Sequence, residues 1–539
     1  MSLFSIGLSG LNAAQNALYT TSNNISNVYT PGYNRELVLL GERGVGNGVR
    51  VNDIQRQFDQ YVAEQLNQST SNASALQAYQ TQVSQIDNLL ADQEAGLAPL
   101  IQKFFSSLED LAGAPSDPAS RQGVIGSADT LSAQFRSFQQ YLDDMQSGIN
   151  GQISDEITQI NNTAEQIANL NREIALAKAK QGEAPNALLN QRDQLVAELS
   201  ERVDVKLSVQ ESGTYNLSIG NGQPLVAGTR SFDLEAVESK TDPSRLVVGY
   251  HDSAGNLVEL KSKNIQGGTL GGLLNFREET LDKTQNELGR LAVSLAGAFN
   301  EQHRAGVDLN GDAGGDMFAI GTPRLYSHAD NTGTATLSVA FGDAGDLTTS
   351  DYTVTVVDPA TGEFAITRKD NGETVNATLD ANNQLSFGGV VVTIDDPTQL
   401  VANDRFEVQP TRYAAGGMEM LIRDTAEIAA GSAAGSGNNE NALALQELQN
   451  QSLVSGNATF SQAYASLVGD VGNRTNIVKV NLAAQQGLQE QLSAVQQSVS
   501  GVDLNEEATN LIRFQQYFQA NAKVIEVGST VLDSILGLR

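Results

Sequence analysis

The stretch "SGLNAAQNALYTTSNNISNVYTPGY" (residues 9–33) has no charged side chain, although the 539-residue chain has a formal net charge of −30. The whole of 1–34 is uncharged, and the first basic residue is Arg35. Apolar residues recur every seven positions, which predicts a coiled-coil helix. Since Pro31 disfavours helix at the preceding residue, we expect the helix to end near 28–30 and Pro31-Gly32 to form a turn. The seam consists of Phe4, Leu11, Leu18 and Ile25, with Gly7, Ala14, Thr21 and Val28 three positions later.

This start fits neither a secretory signal nor a membrane anchor. A signal peptide needs a basic start and a continuous apolar stretch, and here Ser and Gly interrupt the apolar residues. Nowhere do about twenty apolar residues run together, and the mean hydropathy is −0.25. We therefore expect no insertion into a membrane.

The other end of the chain has the same periodicity. Asp503 precedes Glu506 and Glu507, which predicts a helix with an N-cap and an acidic first turn. The seven-residue spacing continues through the helix: Leu504, Leu511, Phe518, Ile525 and Leu532.

Each terminal seam has two interpretations. The simpler one is an amphipathic helix packed on its own domain. However, the N-terminal helix is uncharged on every face and contains Gly, Ser, Thr and Asn, which are poor helix formers, so it should be marginal alone. We therefore predict that both ends are flexible in the isolated monomer and form paired helices in an assembly. The expected subunit-packing residues include Leu8 with the two seams, and Asn23, Asn24 and Asn27 are expected to hydrogen bond between chains.

The middle of the chain alternates between helical and β periodicity. Residues 54–203 predict helices, because isoleucines recur every seven positions from Ile153 to Ile174. The period becomes two after Val203, helix returns at 272–304, and strands are expected again at 333–412. The fold class is therefore α+β and multidomain, with a long helical coiled-coil or bundle core from the N- and C-terminal regions and inserted β-rich domains.

The sequence offers little for catalysis or nucleic-acid binding. There is no cysteine, and 33 basic residues are scattered among 63 acidic ones without a basic stripe. His251, His303 and His328 each lie beside Gly, Asp or Asn, and we expect surface positions for them. The stretch "DLNGDAGGD" (308–316) fails as a calcium loop, since Ala313 and Ala319 replace the required Gly and Glu. We expect no enzyme activity, no metal and no cofactor.

Two motifs resemble the signatures shared by axial proteins of the bacterial flagellum. Residues 9–36 place Asn-Asn-Ile-x-Asn and Thr-Pro-Gly-Tyr after the heptad helix, and 500–538 contain "FQQYFQANAKV". The stretch "NALLNQRDQLVAELSERVDVKLSVQESGTYNLSIGNGQPLV" (186–226) is similar to the hook-associated members, which form the junction between hook and filament. The resemblance fades over 325–415.

The resemblance implies a structural subunit of the hook-filament junction, needed for filament assembly and exported unfolded by the flagellar type III apparatus. Implied partners are other copies in a ring-like homo-oligomer, the hook protein, the second junction protein (hook-associated protein 3) and a cytoplasmic export chaperone. The chaperone is expected to cover Leu511, Phe518, Ile525 and Leu532. Two alternatives stay open: another axial protein of hook or rod type, or an adhesin that uses the inserted β-domain.

The residue patterns and the resemblance together give the expected domain organisation. Residues 1–38 and 500–539 should pair as terminal coiled-coil helices of the inner tube. Residues 39–202, 273–324 and 414–499 should form a helical bundle domain. Residues 203–272 should form a small β-rich unit, and 325–413 an inserted β-domain that faces outward.

Overall fold

The computed structural model describes residues 3–43, 48–92 and 96–537. Its long helices pair in an out-and-back arrangement, α1 with α10 and α2 with α9, and α3–α7 pack beside them. The fold class expected from the sequence is confirmed. The helices are α1 Leu3–Ser26, α2 Gln60–Leu90, α3 Leu97–Gly113, α4 Pro118–Gln181, α5 Asn186–Arg202, α6 Gly268–Phe276, α7 Asp282–Arg304, α8 Glu440–Glu447, α9 Phe460–Ser500 and α10 Leu504–Leu536.

Local sequence explains where the longest helices begin and end. Asp117 caps α4 by accepting a hydrogen bond from the Ser120 N–H, and α4 stops at Gly182, whose φ of +87° favours glycine. The isoleucines that predicted this helix are buried along it. Asp503 caps α10 as expected, since its side chain accepts from the N–H groups of Asn505 and Glu506.

The strands form antiparallel sheets in three regions of the chain. One is a hairpin after α1, one lies between α5 and α6, and one lies between α7 and α8. The strands are β1 Glu36–Glu42, β2 Val49–Arg56, β3 Val205–Val209, β4 Tyr215–Ile219, β5 Gln223–Ala227, β6 Arg230–Ser231, β7 Leu234–Glu238, β8 Leu246–His251, β9 Leu257–Glu259, β10 Phe318–Ala319, β11 Arg324–Ser327, β12 Leu337–Phe341, β13 Tyr352–Asp358, β14 Glu363–Arg368, β15 Thr374–Thr378, β16 Gln384–Phe387, β17 Val390–Ile394, β18 Arg405–Gln409 and β19 Glu419–Met420.

Two features differ from the expected element boundaries. The sequence analysis placed 39–202 in a helical domain, but β1 and β2 form a hairpin there. Helix α6 begins at Gly268, inside the segment 203–272 that was expected to be β-rich. In the described part of the chain, no helix combines the length and apolarity that crossing a membrane requires.

The inserted β-domain is closed at its base. Its five-stranded sheet has the order β11-β18-β13-β14-β15 and its second sheet the order β12-β17-β16, with a separate apolar core. The ingoing and outgoing segments lie side by side, because β10 pairs with β19 and the Gly321 N–H donates to the Ala414 carbonyl at 2.9 Å. The chain therefore leaves and re-enters the helical part at one place.

Buried charges join this insert to the rest of the molecule. Arg412 is 2% exposed and forms ion pairs with Asp351, in the insert, and with Asp282, at the start of α7. Arg245, from the loop between β7 and β8, binds the same Asp282 through two nitrogens. Because an unpaired buried charge is costly, the three segments are held in one arrangement.

Candidate assembly interface

The contact between α1 and α10 is made by small residues. Gly7 lies so close to α10 that a Cβ there would stand 2.8 Å from the Ile525 Cγ1, and Gly10 lies directly against Asn521. Gly528 of α10 lies opposite Leu3 at ordinary contact distance. Gly7 of the N-terminal seam, together with Gly10, therefore lets the two helices approach closely.

The large residues of the two predicted seams are only partly covered in the single chain. Leu11, Leu18, Ile25 and Val28 are half-buried, as are Leu511, Phe518 and Ile525. The others stay exposed: Phe4 and Leu8 at 45%, Leu504 at 43% and Leu532 at 47%. Burial of a large apolar side chain contributes about 1.5–3 kcal/mol, so the single chain forgoes much of the stabilisation that these residues could give.

The structure shows a second apolar stripe on α10 that the sequence analysis missed. Tyr517, Val524 and Val531 are seven apart and are 52%, 37% and 45% exposed, and of these Val524 also touches Gly7 of α1. Val527 adjoins them and is 49% exposed. The same spacing of seven is visible in the sequence, but the sequence analysis assigned the packing face of this helix to the more apolar series from Leu504 to Leu532. On α9 a further exposed apolar set comprises Ile477, Val480, Leu488, Val495 and Val499.

Asn24 anchors the base of the terminal pair. It is 1% exposed, and its amide accepts hydrogen bonds from the Tyr33 hydroxyl at 2.8 Å and the Glu36 N–H at 3.0 Å. Its Nδ2 donates to the Glu36 carbonyl at 2.9 Å and to the Glu507 carboxylate at 3.2 Å. The structure thus uses Asn24 within the chain, because its partners come from the turn after α1, from β1 and from α10. Asn23 and Asn27 are bonded to each other on the exposed side of α1.

Glu507 is a buried carboxylate held by this cluster. Its side chain is 1% exposed, and the Arg35 Nε donates to it at 2.8 Å, while another nitrogen of Arg35 reaches Glu506 at 2.6 Å. The Arg35 N–H donates to the Ser500 carbonyl at 2.8 Å. Burial, together with the charges of Glu36 and Glu507, raises the pKa of the Tyr33 hydroxyl, so this group stays protonated and can donate to Asn24.

Pro31 and Gly32 occupy a turn that leads from α1 to this cluster. The Tyr33 N–H donates to the Thr30 carbonyl at 3.2 Å, and Gly32 has φ of +73°, the geometry of a type II turn. A Cβ at Gly32 would also meet the Gln194 side chain. Glycine is therefore required at this position for two reasons.

A second polar cluster ties the hairpin to the helical domain. Asn34 donates to the Asn190 side chain at 2.8 Å, and Arg56 contacts both Asn190 and Asp193 of α5. Tyr215 donates its hydroxyl to the other Asp193 oxygen at 2.7 Å. Asn190, Asp193 and Tyr215 lie in the stretch 186–226, which carried the resemblance to hook-associated proteins.

The expectation of three surface histidines is wrong for two of them. His303 is fully buried, with Nδ1 2.8 Å from the Gly315 carbonyl and Nε2 accepting from the Ala429 N–H at 2.9 Å, and burial lowers its pKa. His328 is 9% exposed, whereas His251 is exposed. The Asp308 carboxylate accepts from the N–H groups of Asn310 and Asp312, as a polar turn does. Among the described residues, no metal-binding group of His, Asp and Glu side chains comes together.

Paired terminal helices with apolar outer faces, joined through inserted domains, define the class of bacterial flagellar axial proteins. Residues 4–34 match the family "Flagella basal body rod protein", and 495–538 match "Flagellar basal body rod FlgEFG protein C-terminal". Between them, 83–318 match "Flagellar hook-associated protein FlgK helical domain" and 326–410 match "Flagellar hook-associated protein 1, D2-like domain". The chain belongs to the flagellar hook-associated protein 1 family, the structural, non-enzymatic proteins of the hook-filament junction of the extracellular flagellum.

Individual relatives agree with this assignment over the whole length. Flagellar hook-associated protein 1 of Salmonella typhimurium is 42% identical over 556 residues, with all of both chains covered. The Escherichia coli protein of that name is 42% identical over 550 residues, again with all of both chains covered. The flagellar hook junction protein FlgK from Burkholderia pseudomallei has a similar solved structure, with a TM-score of 0.76, 29% identity, and coverage of 81% of this chain and 100% of that one.

Proposed function

We propose that copies of this chain form a ring-like homo-oligomer at the junction, with the α1/α10 pair at the inner wall of the tube. The observation that supports this is the apolar surface left on more than one face of α10. Ile525 packs against Gly7 of α1, whereas Tyr517, Val527 and Val531 stay 52%, 49% and 45% exposed. Such surfaces are typical of contacts with further chains.

We propose a division of roles along the α1/α10 pair. Its base is fixed by the Asn24 cluster, while its far end carries exposed Phe4, Leu8 and Leu532. The far end is marginal alone, and it becomes ordered when neighbouring subunits cover these side chains. The hook protein and hook-associated protein 3 are the proposed neighbours on the two sides of the ring, and the domain at 325–413 is proposed to face outward.

The export chaperone is proposed to recognise Leu511, Phe518, Ile525 and Leu532 before assembly. In the folded chain the first three are partly covered by α1, so the chaperone and α1 would compete for one face. The chaperone would therefore hold α10 while the chain is unpaired, and release it for pairing with α1.

Substitution of Val531 tests the proposed assembly role. Val531→Asp should leave the stability of the free chain within about 0.5 kcal/mol, because the side chain is 45% exposed there. In cells it should strongly reduce the number of attached filaments, since burying an unpaired charge at a subunit contact costs several kcal/mol. Ser529→Asp, an exposed position on the same helix, is the matched control and should keep its filaments. Normal filaments with Val531→Asp would refute the proposal.

A further inference from the structure

The strand β15 forms a free edge of the larger sheet in the inserted domain. It pairs with β14 on one side, and within the described residues no strand pairs with its other side. Thr374, Asn376 and Thr378 are exposed, and Val375 is 57% exposed. The edge is thus open along its length.

The hydrogen-bonding direction of β15 follows from its ends. The Leu379 N–H donates to the Gly362 carbonyl at 3.0 Å, and the Glu373 carbonyl accepts from the Arg368 N–H at 2.9 Å. Both residues therefore point their backbone groups towards the β14 side. Since these directions alternate along a strand, the backbone N–H and C=O groups of Thr374, Asn376 and Thr378 point away from β14.

This edge lacks the features that usually prevent strands from pairing with other molecules. Proteins protect edges with Lys, Pro or a bulge, and the sequence Thr-Val-Asn-Ala-Thr of β15 has none of these, nor any charge. Val375 and Ala377 pair with Ile366 and Phe364, whose side chains are buried, so they extend the core face of the sheet to its open rim.

We propose that β15 is a docking edge for the same strand of a second copy of this chain. Thr-Val-Asn-Ala-Thr is nearly palindromic, so an antiparallel register centred on Asn376 places Thr374 opposite Thr378 and Val375 opposite Ala377. The three residues whose backbone groups point outward then face one another as hydrogen-bonded pairs. The next residues also fit, because Glu373 lies opposite Leu379 and no acidic residue lies opposite another.

The symmetry of this pairing determines which chains can form it. Neighbours in a ring are related by rotation about the tube axis and contact each other through different surfaces, whereas this register needs a two-fold axis through Asn376. The edge therefore joins two free chains, or two chains from separate assemblies, and not ring neighbours. It adds a lateral contact to the junction role and does not depend on that role.

Cysteine cross-linking tests the register, because the chain contains no cysteine. In the proposed pair the two Asn376 residues are directly opposite, with Cα atoms about 5.5 Å apart, a distance that a disulfide spans. Full-length Asn376→Cys should therefore form disulfide-linked dimers under mild oxidation without denaturant. Thr374→Cys should not, since the two copies of residue 374 lie about 13 Å apart along the strands. Mixing Val375→Cys with Ala377→Cys should give the mixed dimer.

Sedimentation of the cysteine-free chain completes the test. Val375→Lys should weaken dimer formation at least about tenfold, because it places a charge at the rim of the paired sheet. Ser338→Lys, on the outer strand β12 of the other sheet, is the control and should dimerise normally. Equal cross-linking by Thr374→Cys and Asn376→Cys would overturn the register. An absence of cross-linking by Asn376→Cys at about 500 μM chain would overturn the docking edge itself.

Discussion

Replacing Asn24 with alanine should loosen the base of the terminal helix pair. The side chain bonds Tyr33, both backbone groups of Glu36, and Glu507. Each such bond contributes about 1 kcal/mol net, and alanine regains about 0.6 kcal/mol of helix propensity. We expect local destabilisation of about 3.4 kcal/mol, which corresponds to a factor of about three hundred in the opening equilibrium.

Amide exchange at single residues in the free chain measures this effect. The Glu36 N–H donates to Asn24 itself, and the Arg35 N–H donates to the Ser500 carbonyl, so both report on whether the cluster is closed. Asn23→Ala is the matched control, because Asn23 is the adjacent residue of the same type, and its bond to the cluster, from Nδ2 to the Tyr33 hydroxyl at 3.3 Å, is exposed to water. Its exchange should change by less than about twofold, since water replaces exposed hydrogen bonds.

The comparison between these two variants decides whether Asn24 acts as an internal anchor. Equal protection of the Glu36 and Arg35 amides in Asn24→Ala and Asn23→Ala would refute the reasoning. That result would mean that the buried side-chain amide of Asn24 contributes no more stability than the exposed amide of Asn23. The predicted flexibility of the outer end of α1 leaves this test unaffected, because both reporting amides lie at its base.

Further predictions concern other regions. Leu18→Asp should leave the middle of the chain folded, as measured by circular dichroism, yet prevent stable filament attachment in cells. Normal filaments on cells that carry Leu18→Asp would contradict the predicted packing role of the N-terminal seam. Arg412→Leu should lower the free energy of unfolding by about 3–5 kcal/mol, because it leaves buried carboxylates unpaired, while Arg405→Leu, at an exposed position, should change it by less than about 1 kcal/mol in urea titrations. Burial lowers the pKa of His303 below its ordinary value of 6.5, so the unfolded chain binds the proton more readily than the folded chain. The stability that neutral His303 contributes is therefore complete above pH 6.5 and is lost as the pH falls below 6.5. His303→Gln should weaken this pH dependence of the free energy of unfolding. A chain ending at Ser500 should bind the export chaperone at least about tenfold more weakly than the full chain in calorimetry, and equal affinity would exclude the α10 face as its site.

Regular periodicity made the helical framework predictable. The seven-residue spacing of Leu504, Leu511 and Phe518 lies within one helix, so a single stretch of sequence contains the whole signal. The N-cap at Asp503 is equally local. The hairpin at 36–56 was missed because β1 contains a run of four apolar residues, which does not distinguish a strand from a helix.

The parts that stayed hidden depend on residues distant in the chain. His303 is buried because Gly315 and Ala429 close around its ring, and neither neighbour in the sequence indicates this. The hydrogen bonds of Asn24 within the chain were not predictable for the same reason, since its partner Glu507 is 483 positions away. Periodicity predicts which face of a helix is apolar, but it does not predict which distant segment satisfies a polar group.

The segments on either side of 325–413 run side by side, so that domain can be replaced as a unit. Because β10 and β19 already pair with each other below it, the rest of the chain requires only that the two termini of the domain lie next to each other. The sequence of this domain can therefore change without changes in the helices that carry it. An engineer has the same freedom, and a foreign domain with adjacent termini, mounted at Gly321 and Ala414, would be displayed at the base of each filament.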